Sequence, residues 1–380
     1  MQNPAHGRGR SLDLAGWVEL ARTAIEQTFE EQLVMPHSEI EARLWDLGWL
    51  DPTNLRKIHF NPHILTLAQN ELERAGRILH ITHPTKGGAT VDLLSTADTR
   101  LRTTAISRAA RRKGMLYARY DRWIPTIGDA GEAVVAHSLT EAMRRGDGFM
   151  PVNSDGKFGE ISRIGTLKFP GPVDNGAWQT VIDPTTRLPL PATHLVLIEM
   201  KNRRLTLYPR HAEVHQLLHK AALAVDEFPG LPIVPALICR RGHPWLFWMA
   251  KDLGFRVQQT RRQFFTLPDK TDRRYLTEVQ EELGFDLHPI NGEMPKIIDF
   301  FKGVLPKEAA TAAQRWKLMA PLVKSYSEEL RKDTLAEYAR TQLLHEMYLD
   351  VELVMKHSSL GEPATWTLPP EDAREDPTFL

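Results

Sequence analysis

Cysteine is almost absent from this sequence: Cys239 is the only one among 380 residues. A single cysteine excludes an internal disulfide bond and a Cys-x-x-Cys zinc site. It is typical of a reducing compartment, so we expect a cytoplasmic protein. An excess of charge of one sign is also lacking, because 48 basic and 48 acidic residues give a formal net charge of zero. Any case for nucleic-acid binding therefore depends on where charges cluster along the chain.

Long apolar runs and nucleotide-binding motifs are missing as well. No run approaches the roughly 18 apolar residues of a membrane span. The polar N-terminal sequence MQNPAHGRGRS lacks the apolar core of a signal peptide. We therefore expect no membrane association. The patterns GxGxxG, GxxxxGK(S/T) and GxSxG do not occur, which leaves nucleotide hydrolysis and serine-esterase chemistry without support.

The composition that remains is that of a large soluble protein. Apolar residues make up 42% and charged residues 25%, an ordinary globular balance, and the length suffices for two or three domains. Changes in pattern predict domains at residues 1–122 and 123–268, followed by a helical C-terminal region at 269–380. We expect the C-terminal helices to pack on the core, to form a dimer or to bind a partner protein.

The first domain begins with three helical patterns and a hairpin. Helices are predicted over residues 12–35, 38–48 and 61–76, and two alternating runs then flank Lys86 in the sequence KGG. Helix, helix, helix and hairpin in this order resemble a winged-helix domain. The resemblance implies binding to double-stranded DNA, with the helix at 62–75 as recognition helix and the Lys86 hairpin as the wing.

A strongly basic segment follows the hairpin. Residues 98–122 hold eight lysines and arginines but only two acids. Beside a DNA-binding domain, such a helix is expected to contact phosphates. The alternative is a solvated helix that connects two domains. The residues that we expect to bind DNA here are Arg108, Arg111, Arg112 and Lys113.

From residue 129 to 267, helices alternate with apolar strands, which predicts an α/β fold whose sheet is covered on both faces. The strongest strand contains LVLIEMKNRR, residues 195–204. Side chains two positions apart in a strand point the same way, so Glu199 and Lys201 share one face while Met200 points to the other. The apolar run before them predicts a central strand. The charged pair therefore lies where the strand emerges, at the edge where α/β sheets place their sites.

Three further residues fall in order around this strand. Glu132 lies in the helix that opens the region, Asp174 at the start of the preceding strand, and Gln216 in the helix that follows. This order of helix, strand with Asp, strand with Glu-x-Lys, and helix resembles the PD-(D/E)XK, or restriction-endonuclease-like, nuclease superfamily. The resemblance covers residues 129–267 and implies a central mixed sheet flanked by helices.

The resemblance also implies an activity and a site. It implies metal-dependent hydrolysis of DNA phosphodiesters, in which Asp174 and Glu199 bind Mg²⁺ or Mn²⁺ directly and Glu132 binds it through water. Lys201 would orient or deprotonate the attacking water, and Gln216 would position phosphate or water. The acids themselves favour such an ion, because two carboxylates about 4 Å apart repel by roughly 4 kcal/mol at an effective dielectric of 20. Their hard oxygens suit Mg²⁺ and Mn²⁺.

Two ambiguities attend the acids. Asp183, in the sequence VIDPTT, competes with Asp174 as the upstream ligand; we favour Asp174 because the residues from Asp183 to Thr186 are typical of a turn. The acid-x-Lys pattern itself recurs at Asp155 and Lys157, in a stretch rich in glycine, asparagine and serine. Only Glu199 and Lys201 end a predicted buried strand.

Basic residues also crowd the neighbourhood of the motif. Arg203 and Arg204 follow it directly, and we expect them to bind DNA phosphates. A phosphate-binding surface beside the metal would also draw on later arginines, and the alternative is that these are scattered over the surface. The candidates are Arg210, Arg240, Arg241, Arg261 and Arg262.

A histidine series offers a rival metal site. His211, His215 and His219 recur every four residues on one helix face, a spacing that suits zinc. No acid or cysteine nearby in the sequence completes the set. A further interpretation is that His215 faces the nuclease site, because its helix follows the strand that carries Glu199.

The leading hypothesis is therefore a Mg²⁺-dependent DNA endonuclease, in restriction or antiviral defence, a mobile element, or recombination and repair. Cutting both strands needs two sites, so a homodimer is expected. The alternative hypothesis is a DNA-binding regulator or adaptor that uses an inactive nuclease fold as a scaffold.

Overall fold

The structure, a computed structural model, describes residues 12–84, 90–97, 103–146, 148–182, 189–267, 273–358, 360 and 363–367. The chain forms two compact units: Met1–Arg122 with Asp269–Asp286, and Trp123–Pro268 with Leu287–Leu380. The C-terminal region expected at 269–380 is thus divided, its first segment belonging to the first unit and the remainder to the second. Lys86 and Asp183 lie outside the described residues.

The helices and strands follow one another in mixed order along the chain. The α-helices are α1 (Leu14–Gln32), α2 (His37–Glu41), α3 (Pro62–Arg74), α4 (Thr103–Trp123), α5 (Ile127–Arg144), α6 (Ala212–Glu227), α7 (Pro244–Leu253), α8 (Arg273–Leu283), α9 (Pro295–Asp299), α10 (Leu305–Leu330) and α11 (Glu337–His357). The strands are β1 (Val34–Met35), β2 (Trp49–Leu50), β3 (Lys57–Ile58), β4 (Ile78–Pro84), β5 (Thr90–Thr96), β6 (Phe149–Pro151), β7 (Ile161–Ile164), β8 (Leu167–Val173), β9 (Asn175–Ile182), β10 (Pro189–Lys201), β11 (Ile233–Cys239), β12 (Arg256–Gln259), β13 (Gln263–Phe265) and β14 (Leu287–Pro289).

The first unit packs three helices beside a small antiparallel sheet. Its helix α1 starts where the Asp13 side chain accepts from the Gly16 N–H at 2.8 Å, a standard N-cap. The buried face of α1, including Ile25 and Phe29, meets the apolar side of α3 in one core. The sheet has the order β1–β5–β4, and both of its pairings are antiparallel.

The second unit is built on a five-stranded mixed sheet in the order β12–β11–β10–β9–β6. Strand β10 pairs in parallel with β11 and antiparallel with β9. Its side chains alternate between two cores: Leu195 and Leu197 face α6, whereas Val196 and Ile198 face α5. Both faces are covered, which confirms the prediction of a mixed α/β fold and explains the unbroken apolar run before Glu199.

The C-terminal helices of the second unit belong to this core. Trp316 and Val323 of α10 and Met347 of α11 are fully buried in the same cluster as Leu217 of α6. This confirms a helical C-terminal region. Within the described part of the chain, no helix has the length and apolar character that a membrane crossing requires.

Candidate active site

The site forms at the carboxyl end of β10. Glu199 pairs across the sheet with Leu237 and Lys201 with Cys239, so both come from the last residues of a central strand. Glu199 is almost completely buried, at 2% exposure. Met200 packs in the core on the α5 side, which places Glu199 and Lys201 together on the opposite face, as the pleat predicts.

Asp174 lies between β8 and β9, where the chain passes from the β7–β8 hairpin into the central sheet. Its neighbour Asn175 pairs with Ile198 of β10, which brings the Asp174 side chain to the end of that strand. The main-chain N–H of Met200 donates to Asp174 Oδ2 at 2.6 Å. The carboxylate is thereby fixed beside the residues on either side of Met200.

A lysine links the two acids. Lys201 Nζ lies 2.9 Å from Glu199 Oε1 and 3.9 Å from Asp174 Oδ2. The structure thus brings Asp174, Glu199 and Lys201 together at one end of β10.

A second lysine, absent from the sequence-based assignment, reaches the same acid. Lys220 Nζ of α6 lies 3.2 Å from Glu199 Oε2 and donates to the Pro172 carbonyl at 2.5 Å. Lys220 is buried. Its spacing of four residues from Gln216 places both on one face of α6, and that spacing is the signal by which the sequence could have identified it.

The charged groups of this cluster shift one another's pKa values. Burial opposes ionisation of Glu199, but Lys201 and Lys220 outweigh it and hold the pKa of Glu199 below its usual value. Burial, followed by the charge of Glu199, raises the pKa of Asp174 to about 7. Burial also opposes the charged form of Lys201, but Glu199 and Asp174 outweigh it and raise its pKa. Lys201 is therefore an ammonium ion at neutral pH.

The donor set fits a hard divalent cation. Mg²⁺ is commonly held in proteins by one or two carboxylates, together with water and substrate phosphates. Asp174 and Glu199 supply two such carboxylates, and the raised pKa of Asp174 reflects a buried acid beside another acid. Positive charge beyond that of Lys201 would stabilise the ionised pair.

Glu132 of α5 lies near this cluster but makes no direct bond to it that the structure resolves. Burial first, and then Glu160 and Asp129, raise the pKa of Glu132, and the charges of Lys201 and Glu199 also act on it. Among the residues that the structure describes, no group of three His, Cys, Asp or Glu side chains is placed to hold one metal ion. Glu132 is thus not placed as a third direct ligand beside Asp174 and Glu199, and a contact through water stays a prediction.

Gln216 does join the site. With Lys220 and Glu199 it lines a cavity of about 280 Å³, whose other walls are Pro170–Pro172 and Arg331. An amide group at this position can donate to, or accept from, a water molecule or a phosphate.

Arg203 and Arg204 are not in that cavity. Arg203 is exposed, pairs with Glu213, and lines a separate cavity with Arg210 and Arg340. Arg204 is half-buried, and its carbonyl accepts from Arg240 Nη1 at 2.8 Å. Of the two, Arg203 presents its side chain to solvent.

The histidine series of α6 does not form a metal site in the described chain. The ring of His215 is buried, and its Nε2 bonds the Pro209 carbonyl at 2.8 Å, so His215 does not face the acids. His219 instead meets Ser327 of α10 at 3.4 Å.

In the first unit, α4 divides its basic residues between solvent and core. Arg108 and Arg111 are exposed, and Arg112 is exposed while pairing with Glu282 of α8 at 2.7 Å. Lys113 is buried, at 3% exposure. Its Nζ lies 2.5 Å from Oε1 of Glu39, a buried residue of α2. The expectation that Lys113 contacts DNA is wrong, because its charge is enclosed and used within the unit.

Main-chain hydrogen bonds tie the lysine end of β10 to the neighbouring basic segments. Arg240 N–H donates to the Lys201 carbonyl at 3.0 Å, and Arg261 N–H donates to the Arg240 carbonyl at 2.9 Å. Arg261 and Arg262 are exposed. Burial, and then the charges of Arg261, Arg241 and Arg262, lower the pKa of Lys296. A basic surface therefore borders the same sheet edge as the acids.

A buried amide fixes this edge. Asn202 Nδ2 donates to the carbonyls of Ile127 at 2.7 Å and Phe264 at 2.6 Å, and its Oδ1 accepts from Phe264 N–H at 2.9 Å. The Asn202 side chain thus connects β10 with α5 and β13.

Comparisons with protein-family models, with curated proteins and with solved structures find no match.

Proposed function

We propose that the second unit is a Mg²⁺- or Mn²⁺-dependent deoxyribonuclease that hydrolyses internal phosphodiester bonds. The observation that carries this proposal is the set of two buried carboxylates, Asp174 and Glu199, within 4 Å of the Lys201 ammonium at the end of a central strand. Burying two acids side by side costs free energy, and carboxyl groups whose pKa is strongly shifted cluster at functional sites. The order of the elements that bear these residues supports the resemblance to PD-(D/E)XK nucleases.

The residues of the chain divide the work. Asp174 and Glu199 would hold the ion, and the ion, when bound, supplies Lewis acidity and lowers the pKa of a bound water. Lys201 carries its proton at neutral pH, which suits it to stabilise negative charge that develops on the phosphate, and not to act as the base. Gln216, on the cavity wall, positions phosphate or water.

DNA binding is proposed for both units, each on its own evidence. The three helices and antiparallel sheet of the first unit support a winged-helix-like module, with α3 as recognition helix and the exposed Arg108 and Arg111 of α4 as phosphate contacts. In the second unit, Arg203 and the surface around Arg261 supply positive charge near the acids. Cleavage of both strands would require a homodimer, and the biological setting would be defence or restriction, a mobile element, or recombination and repair.

A second function has its own supporting observation. Both carboxylate oxygens of Glu199 already contact a lysine, Oε1 with Lys201 and Oε2 with Lys220. Such pairing would stabilise the acid without an ion, as a DNA-binding regulator or adaptor with a retired nuclease fold would need.

One experiment separates the two functions. Supercoiled and linear DNA is incubated with the full-length protein and Mg²⁺, beside the variants Glu199→Gln and Lys201→Met. The matched control is Lys157→Met, which alters the lysine of the other acid-x-Lys sequence, at an exposed position. The nuclease proposal expects cleavage by the unmodified protein and by the control but not by the site variants. DNA that is shifted on a gel yet stays intact in every sample would favour the adaptor.

A further inference from the structure

The cavity beside Glu199 extends the site towards the C-terminal helices. Its volume is about 280 Å³. We infer that this cavity is a subsite for a DNA phosphodiester group next to the one that is cut, and that Arg331 is the residue that recognises it. The inference rests on the proposed nuclease function and assigns a role to a residue 130 positions after Lys201 in the chain.

Arg331 is placed by the end of α10. It follows Leu330, the last residue of that helix, and its main-chain N–H donates to the Ser327 carbonyl at 3.1 Å. The Nε of its guanidinium is buried and has no hydrogen-bond partner among the described residues. A buried donor without an acceptor costs free energy, and a guanidinium presents its donors in a planar fork that matches phosphate oxygens.

The other polar walls of the cavity suit the same ligand. Lys220 carries three donors, and its contacts with Glu199 and the Pro172 carbonyl fix its ammonium at the cavity wall. Gln216 adds an amide one helical turn earlier. Two cations and one acid line the cavity, and that acid also pairs with Lys201. The lining is therefore net positive, which favours an anion.

The remaining wall is open main chain. Pro170, Gly171 and Pro172 carry no charged group. Gly171 has a φ of +136°, and no atom lies within 4 Å of the position that a Cβ would take. A side chain at residue 171 would be strained and would project into open space, so glycine leaves the backbone accessible beside the two cations.

Binding without cleavage tests the subsite directly. Anisotropy of a fluorescein-labelled DNA duplex is measured in EDTA for the unmodified protein, Arg331→Ala, Arg331→Lys and Lys332→Ala. Lys332 is the matched control, since it follows Arg331 in sequence and pairs at the surface with Glu329. We expect Arg331→Ala to weaken binding about tenfold, in line with the loss of one charge-assisted hydrogen bond, and to lower the salt slope by about 0.9. Arg331→Lys should keep the slope but bind less tightly, and Lys332→Ala should match the unmodified protein.

Equal binding by Arg331→Ala and Lys332→Ala would overturn the inference. Thermal melting checks that each variant is folded. If Arg331→Ala does not fold, Gln216→Glu serves in its place, because it puts a negative charge on the same wall, and unchanged binding by that variant would count equally against the subsite.

Cleavage assays with Mg²⁺ keep this inference separate from the proposed function. Cleavage by the unmodified protein, with no effect of Arg331→Ala on binding or rate, would leave the nuclease standing and remove the subsite. Selective loss of DNA binding in Arg331→Ala, with no cleavage by any sample, would remove the nuclease and leave an anion site at this cavity.

Discussion

The main-chain N–H of Met200 donates a 2.6 Å hydrogen bond to the Asp174 carboxylate, so the acid before β9 is held by the strand that carries Glu199. An asparagine at position 174 could still accept this hydrogen bond through its carbonyl oxygen. It could not supply the charge.

The first prediction follows from that difference. Asp174→Asn should fold with nearly unchanged stability and lose Mg²⁺-dependent DNA cleavage by at least about a hundredfold, the scale of removing one preorganised polar group from a site. Urea unfolding and plasmid nicking rates measure the two quantities. Full cleavage activity in a folded Asp174→Asn protein would show that this acid is not a ligand.

The buried ion pair of the first unit predicts a stability effect. Lys113→Ala leaves Glu39 enclosed with Arg43, whose Nε lies 2.7 Å from the same carboxylate oxygen. Breaking a buried pair costs about 3 kcal/mol or more, and Arg43 offsets part of this, so we expect a loss of about 2–3 kcal/mol of the free energy of unfolding. Chemical denaturation of the variant provides the measurement.

The matched control for Lys113 is Arg111→Ala, which alters an exposed arginine of the same helix. It should change stability by no more than about 0.5 kcal/mol but weaken DNA binding. A Lys113→Ala protein as stable as this control would mean that the enclosed charge is not needed for folding.

The buried histidine of α6 predicts a pH dependence. Burial lowers the pKa of His215 to about 3, so the folded chain resists a proton that the unfolded chain accepts near pH 6.5. The stabilising contribution is complete above pH 6.5 and declines as the pH falls, by up to about 1.4 kcal/mol per pH unit.

Urea unfolding at pH 5 and pH 7 tests this histidine. Between these values the unmodified protein should lose stability, and His215→Gln should lose about 2 kcal/mol less over the same interval. Part of the loss should remain in the variant, because burial also lowers the pKa of His211 to about 3. An identical pH profile for both proteins would contradict the prediction.

The basic sheet edge predicts a salt effect. Replacing Arg261 and Arg262 by alanine should reduce the slope of log binding constant against log salt by about 0.9 per lost phosphate contact. Arg163→Ala, at an exposed position on β7, should leave the slope unchanged. Anisotropy titrations at several salt concentrations measure it, and equal slopes for all three proteins would show that DNA does not cross this edge.

Local rules predicted the strand and its pair of charges, because the two-residue period of a strand decides which side chains share a face. Lys113 was misassigned although its spacing was informative. Ala110, Lys113, Leu116 and Tyr120 are all buried and follow the three- and four-residue steps of a core-facing stripe. A charge on such a stripe needs a buried partner, here Glu39, which lies 74 positions away in the chain.

The position of Arg331 could not be predicted from sequence patterns, because it depends on tertiary packing. Nothing in the sequence around α10 relates Arg331 to Glu199, because their place on one cavity wall depends on how α10 packs against α6. The helical region predicted from residue 269 onward likewise divides between the two units. Its sequence shows helical patterns on both sides of that division. Packing partners of amphipathic helices are set by tertiary contacts and not by periodicity.

Asn202 has a consequence for the alignment of β10. If the strand slipped by one residue, Met200 and Asn202 would occupy the face that now presents Glu199 and Lys201. Three hydrogen bonds from a single side chain to α5 and β13 oppose that slip. Gly131 of α5 leaves room for this side chain, because a Cβ at residue 131 would lie 2.7 Å from the Asn202 Cβ. The register of the strand is therefore held by an amide and a glycine, neither of which carries a charge.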